Sequence, residues 1–242
     1  MRWYPAQRST QPELMDDLQS DPPELERTLS QMVLVNRLLS RRGTVLSRFL
    51  LDHVAEGPQR EYRVLDLGAG GGDIAIWLAR RARRRGLRLR ITAADHDPRV
   101  VSFAERKCAG EPAVTVVQAS AGAPLGEYDY VICNHLLHHL GDDEIPAVLH
   151  RIHDTGAIRF IANDLLRSYA SLVGFRVLAA LFLHRSFARV DGEISILKGF
   201  RPDELLAFFR ASPWGEGARV LSLMPGRLCV VADRKPGSAP LR

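Results

Sequence analysis

The sequence predicts an α/β protein: a doubly wound, mostly parallel seven-stranded sheet with an antiparallel C-terminal hairpin and helical additions. Three observations lead there. From residue 62 onward, short apolar runs alternate with segments of helical spacing, the pattern of a parallel sheet covered on both faces. A glycine-rich loop marks the first passage from strand to helix. The last two strand-like runs, RVLSLMP and RLCVVAD, meet at Gly226 with no helix between them and read as a hairpin.

The elements follow in order. Asp21 begins an Asp-x-x-Glu capping box over Pro22, Pro23 and Glu24. Leu25, Leu29, Met32, Val33 and Asn36 then share one helical face. Gly43 is expected to stop this helix and Thr44 to cap the next, which carries Val45, Leu46, Phe49 and Leu50 and ends at Gly57 and Pro58. YRVLDL, RITAAD, VTVVQ, YDYVICN and AIRFIAND are the next five strands. Helices over Ile74 to Arg85, Pro98 to Cys108 and Asp142 to His150 lie between them, and Pro202 starts another. Lys235 to Arg242 reads as a frayed tail. Residues 1–58 are therefore expected to form an N-terminal helical cap segment. Residues 59–235 form the α/β domain, with an insertion at about 165–200.

Composition narrows the class. With 242 residues, 46% of them hydrophobic, the chain can bury one substantial core. The formal charge of +5 favours an acidic partner without naming one. Cys108, Cys133 and Cys229 form no CxxC and suggest free thiols in a reducing interior, hence a cytoplasmic protein. MRWYPAQRST lacks the apolar run of a secretory signal. Leu165 to Leu183 approaches the ~20 apolar residues that span a bilayer, but Arg167 and Arg176 interrupt it, so no transmembrane segment is expected.

The chemistry centres on VLDLGAGGGD, Val64 to Asp73. Glycines there let the backbone turn sharply and approach a ligand closely. A dinucleotide fingerprint would need a third glycine where this chain has Asp73. An acid at a helix start competes with a pyrophosphate, which such helix ends attract. Asp66 adds a second acid, and a cationic ligand explains both. One βα unit later RITAADHDP ends a strand in Asp95, placed to accept from ribose hydroxyls rather than only to cap a turn.

LDLGAGGGD, AADHDP, YDYVICNHLLHHL and FIANDLL together resemble the successive motifs of class I, Rossmann-like, S-adenosylmethionine-dependent methyltransferases. The nearest likeness is the ubiquinone/menaquinone-biosynthesis-like branch acting on small molecules. The resemblance covers about residues 62–166 and implies S-adenosylmethionine as cofactor and S-adenosylhomocysteine as product. It implies that Asp66 and the loop of Gly68, Ala69 and Gly70 hold the methionine part, with Asp73 at the helix start. Asp95 would bind the ribose, His96 would lie beside the adenine, and Asn134 and His135 would line the site near the methyl. One departure stands out: Ser120, followed by Ala121, occupies the place where the family often has an acid for the adenine amino group.

His135, His138 and His139 fall just after the fourth strand, where parallel sheets open their ligand crevice. Each is either a structural histidine or a catalyst. The sharper expectation makes His138 the general base, with His139 as fallback and Asp164 beside it. Asp164 is alternatively a helix cap. A neighbouring carboxylate is expected to raise the histidine's pKa. His150 and His153 have a metal-ligand spacing, but no companion supports it and no metal is expected.

The run from Arg80 to Arg90 reads as a solvated helix face, because no aromatics interleave as base-stacking platforms would; a nucleic-acid partner is not expected. The apolar insertion and the N-terminal helices are expected to form a cap over a lipophilic acceptor. The expected reaction is methylation, chiefly at oxygen, of a hydrophobic, aromatic or polyketide-like small molecule of secondary metabolism. The rivals are an RNA or protein methyltransferase and a non-catalytic S-adenosylmethionine-binding regulator. Monomer and homodimer both remain open.

Overall fold

The computed structural model describes residues 4–57, 60–183 and 187–235. The expected helix end at Pro58 and the tail beyond residue 235 lie outside them. An extended N-terminal segment with one 3-10 turn, Leu14–Asp16, leads to α1 (Pro22–Leu38), α2 (Arg42–Leu46), a π-turn at Ser47–Leu51 and α3 (Asp52–Glu56). Then come β1 (Glu61–Leu67), α4 (Asp73–Arg84), β2 (Arg88–Asp95), α5 (Pro98–Cys108), β3 (Val114–Gln118), β4 (Tyr130–Asn134), α6 (Glu144–Asp154) and β5 (Arg159–Leu165). The chain continues with α7 (Tyr169–Phe182), α8 (Ala188–Lys198), α9 (Pro202–Arg210), β6 (Ala218–Leu223) and β7 (Arg227–Asp233).

The seven strands lie in the order β3-β2-β1-β4-β5-β7-β6, with β7 antiparallel to both neighbours. The expected sheet is therefore observed. Strand order reverses between β1 and β4, and the carboxyl ends of these strands open the crevice where such sheets bind ligands. β4 begins at Tyr130 rather than Tyr128. Asp129 is held outside it, its carboxylate accepting from the Arg63 backbone N–H at 2.7 Å and pairing with Arg60.

Both N-terminal helices form, with one corrected boundary. Asp21 accepts from the Glu24 backbone N–H at 3.1 Å and so caps α1 as expected. The helix ends at Leu38, before Gly43, where the Ser40 hydroxyl turns back onto the Asn36 carbonyl and accepts from the Arg42 N–H. Arg41, at φ 54°, precedes α2, so Gly43 and Thr44 lie inside that helix and Thr44 caps nothing. α6 also runs on past His150 to Asp154.

Two apolar layers cover the sheet. Val45, Leu50, Leu51 and Val54 pack with α4 residues against Val64, Ile91 and Ile132. Ile145, Leu149, Phe209 and Trp214 pack against Leu65, Val131, Phe160 and Val230. The segment 42–56 thus belongs to the main core. A third cluster joins Leu172, Phe175 and Ala179 of α7 to Ala188 and Ile196 around α8, with Met32 and Leu39 from the α1 region packed on it. This cluster forms the roof over the crevice. Gly226 closes the hairpin at φ +59°, and a Cβ there would lie 2.5 Å from Ser171 Oγ, so glycine lets the hairpin touch the roof. No helix among the described residues is long and apolar enough to cross a membrane.

Candidate cofactor and acceptor site

A cavity of about 890 Å³ lies between the carboxyl edge of the sheet and the roof. Gly68, Ala69, Gly70, Asp73, Asp95, His96, Ser120, Ala121, Asn134, His135, His138 and His139 all line it. Asp66 and Asp164 stand behind that lining. The arrangement follows from parallel topology, which delivers every strand-end loop to one edge.

One half suits a nucleoside. Asp95 Oδ2 accepts from the Gly70 N–H at 2.9 Å, and Oδ1 from the Asp97 N–H at 3.2 Å. The carboxylate therefore shapes the loop and still has lone-pair capacity for ribose hydroxyls. His96 Nδ1 lies 3.5 Å from Asp95, whose hydrogen bond raises the imidazole pKa. Gly70 has φ +53° and no atom within 4 Å of where a Cβ would stand, so a ligand can approach its backbone. Ser120 Oγ accepts from the Gly122 N–H at 3.1 Å.

The two acids at the glycine loop differ. Asp73 is not left open to a cationic ligand, because Arg42 pairs with it and Asn36 Nδ2 donates to it at 3.3 Å. Burial still raises its pKa above the usual value. Asp66 is 1% exposed, and its Oδ2 has no hydrogen-bond partner. Burial, with Asp73 and Asp95 nearby, pushes its pKa up to about 8. Of the two, Asp66 is the one whose charge a cation would stabilise.

Asparagines tie the site to the roof. Asn163 Nδ2 donates to Asn134 Oδ1 and to the Ser40 carbonyl, both at 2.7 Å, and Asn134 Nδ2 donates to Asn36 Oδ1 at 3.3 Å. The sequence placed Asn36 on an apolar helix face without assigning it a role. An amide in an otherwise apolar stripe was the available signal.

The other half carries titratable groups. His138 Nδ1 lies 2.7 Å from Asp164 Oδ1, with both side chains 1% exposed. Asp164 also accepts from the backbone N–H groups of Leu137 and Leu165, at 2.9 and 2.7 Å. Burial opposes its charge, but His138 and these bonds hold its pKa below the usual carboxylate value. It does not cap the helix that follows it, where Ser168 caps α7, but binds the N–H groups that open the 3-10 turn Leu137–His139. Burial also outweighs Asp164 at His138, whose pKa is lowered rather than raised as expected. A neutral ring donating from Nδ1 leaves the Nε2 lone pair available.

His139 differs. Burial pulls its pKa down, yet Asp16 at 3.1 Å and Glu13 raise it overall. Of the two adjacent histidines, His138 is thus held toward its neutral form and His139 toward its charged form.

Glu13 reaches this spot from the N-terminal segment. Its Oε1 lies 3.8 Å from both His138 Nε2 and His139 Nδ1 and 3.2 Å from Lys198 Nζ. Asp191 of α8 holds the segment by accepting from the N–H groups of Leu14 and Met15. Neither Glu13 nor Lys198 was found by sequence reasoning, because only docking of the segment on α8 brings them together. Glu13, His138 and His139 offer metal-ligand atoms within 4.8 Å of one another, with the Lys198 ammonium already on the carboxylate. Of the other two histidines, His150 Nδ1 bonds the Pro146 carbonyl at 2.8 Å, and the His153 ring packs T-shaped with Trp214.

Comparison with known proteins bears on the fold. Residues 64–155 match the family model described as a methyltransferase domain. No curated protein matches the sequence. Among solved structures, the chain is similar to a SAM-dependent methyltransferase from Aquifex aeolicus, at 17% identity and TM-score 0.58, covering 88% of this chain and 97% of that one. It is also similar to magnesium protoporphyrin IX methyltransferase from Synechocystis PCC 6803 with bound SAH, at 19% identity and TM-score 0.54, covering 81% and 84%. A third is human N-acetylserotonin methyltransferase in complex with SAM, at 19% identity and TM-score 0.61, covering 87% of this chain and 56% of that one. The fold is that of the S-adenosylmethionine-dependent methyltransferases.

Proposed function

We propose that the protein transfers a methyl group from S-adenosylmethionine to a hydroxyl oxygen of a small lipophilic acceptor. The observation that carries this reading is one cavity with the Asp95–Gly70 nucleoside cradle at one end and the buried His138–Asp164 pair at the other. The cofactor supplies a methyl group activated on a sulfonium centre. The chain's own residues do the rest. Asp95 orients the ribose, Asp66 supplies negative charge beneath the loop, and Asn134 and His135 border the methyl. His138 Nε2 accepts the acceptor's hydroxyl proton while Asp164 fixes the tautomer and ring plane. The roof of α1, α7 and α8 excludes water and aligns the acceptor, the main requirement of an in-line displacement.

The apolar roof, with Met32, Leu39 and Phe175 on the cavity, favours a hydrophobic, aromatic or polyketide-like acceptor. That suits a cytoplasmic enzyme of secondary metabolism in the ubiquinone/menaquinone-like branch. The arginine run does not favour an RNA substrate: Arg80 and Arg83 are committed to Glu111, and Arg85 to Asp52. Calorimetry provides the test. S-adenosylhomocysteine should bind and NADH should not; the reverse order would rule the reading out.

A further inference from the structure

Arg227, the first residue of β7, is 3% exposed and lines the cavity. Among the described residues, no carboxylate lies within ion-pair distance of it. Its hydrogen bonds run from Nε to the Leu39 carbonyl at 3.2 Å and from a terminal nitrogen to His135 Nε2. Among the described residues a second buried arginine is different. Arg167 is fully buried too, but it pairs with Glu204 at 2.7 Å and bonds the carbonyls of Pro5 and Gly199. A guanidinium taken out of water with no carboxylate in ion-pair contact is costly, and burial, only partly offset by the charge of Asp164, pulls the Arg227 pKa down to about 10.

Its partner is also held at a cost. His135 sits at φ +61°, a backbone region that side-chain-bearing residues seldom adopt and that clusters at functional sites. Burial and the Arg227 charge keep the imidazole pKa well below its usual value, so it accepts from the guanidinium instead of repelling it. A planar fork of donors is thus presented to the cavity with part of its capacity unused.

Topology says which ligand meets it. β7 is antiparallel, so its first residue reaches the same edge as the parallel strands' carboxyl ends, paired with Leu165 of β5. In the order β2-β1-β4-β5-β7, Arg227 lies on the opposite flank of the cavity from Asp95, with β1, β4 and β5 between them. Met224, Pro225 and Ser171 line the cavity around it. The nucleoside cradle is far from this flank, and His138 and Asp164 are on it.

We propose that Arg227 recognises an anionic or strongly polarised oxygen of the methyl acceptor. The acceptor is then a hydroxyaryl acid or hydroxyaryl ketone, with the reacting hydroxyl beside a carboxylate or carbonyl, rather than a plain phenol. This rests on the methyl-transfer reading above. It adds that Arg227 fixes the acceptor by its second oxygen while His138 addresses the hydroxyl. A site built around one hydrogen-bonding group rejects the analogue that lacks it.

The test uses full-length protein loaded with S-adenosylhomocysteine and titrated calorimetrically with 1-hydroxy-2-naphthoate and with 1-naphthol. The acid should bind at least about tenfold more tightly than the naphthol, as expected for a charge-assisted bond. Arg227→Gln should abolish that preference and Arg227→Lys should keep part of it, with thermal melts confirming that each variant folds. Equal affinities in the wild type, or no binding of the acid, overturn the proposal. A second arm separates the acceptor's anion from the cofactor's own carboxylate. Arg227→Gln should leave the affinities for S-adenosylhomocysteine and for the carboxylate-free 5′-methylthioadenosine in the wild-type ratio. A selective loss of S-adenosylhomocysteine binding would assign Arg227 to the cofactor and overturn the acceptor role. Failure of the wild type to bind S-adenosylhomocysteine would instead show as a defect of the methyl-transfer reading itself.

Discussion

His138→Ala lowers turnover by about 10²–10⁴-fold, the usual worth of a positioned general base, and leaves S-adenosylhomocysteine affinity near that of the wild type. The expectation follows from placement: His138 lines the cavity, has Nδ1 bonded to a buried carboxylate, and belongs to the half away from the nucleoside cradle. The pH profile provides a second readout. The ring acts when neutral, and burial lowers its pKa below the ordinary value, so turnover should level off at neutral pH and fall only as the pH drops through that depressed pKa. Asp164→Asn removes the charge that partly offsets burial. The acid limb should then move to still lower pH while the plateau rate drops, because a weaker base is held less firmly. Turnover of His138→Ala at the wild-type rate would leave His138 as scaffolding and reduce catalysis to proximity alone.

Asp66→Asn should have opposite effects on binding and on stability. The folded chain buries Asp66 with one oxygen unpartnered and its pKa pushed up to about 8, far above the unfolded value. The folded state therefore holds a proton that the unfolded chain has released. Stability must fall as pH rises from the unfolded pKa toward 8, and the loss is complete above it. The asparagine variant does not titrate there, so its Tm should exceed the wild type's at pH 8 and above. Each kcal/mol recovered is worth about 2–4 °C in a chain of this size. Affinity for S-adenosylmethionine should fall by about tenfold or more, because a charge-assisted interaction is lost. Binding to the wild type at neutral pH should also release a proton, seen as a dependence of the calorimetric heat on buffer ionisation enthalpy. An unchanged dissociation constant with no proton release would remove Asp66 from the cofactor site.

The strands were legible because each apolar run is bounded by glycine, proline or charge, and the glycine loop and Asp95 were legible because their roles are local. His138 and Asp164, 26 residues apart, were paired through topology alone, since adjacent parallel strands end at one edge. The sign of the His138 pKa shift was not legible, because it turns on how deeply the N-terminal segment and the roof bury the ring. Arg42, which neutralises Asp73, went unseen for a related reason: the boundary between α1 and α2 was misplaced at Gly43. Glu13, Lys198 and Arg227 reach the site from the N-terminal segment, from α8 and from the hairpin. Which residues such additions deliver is decided by tertiary docking, and no local periodicity encodes it.

The most direct measurement is an electron-density map of the S-adenosylhomocysteine complex. The ribose hydroxyls should lie on Asp95, the amino-acid end against the loop above Asp66, and the sulfur beside Asn134 and His135, facing His138 across the space left for the acceptor. A nucleoside seated away from Asp95, or a sulfur turned away from His138, would contradict the assignment of both halves of the site.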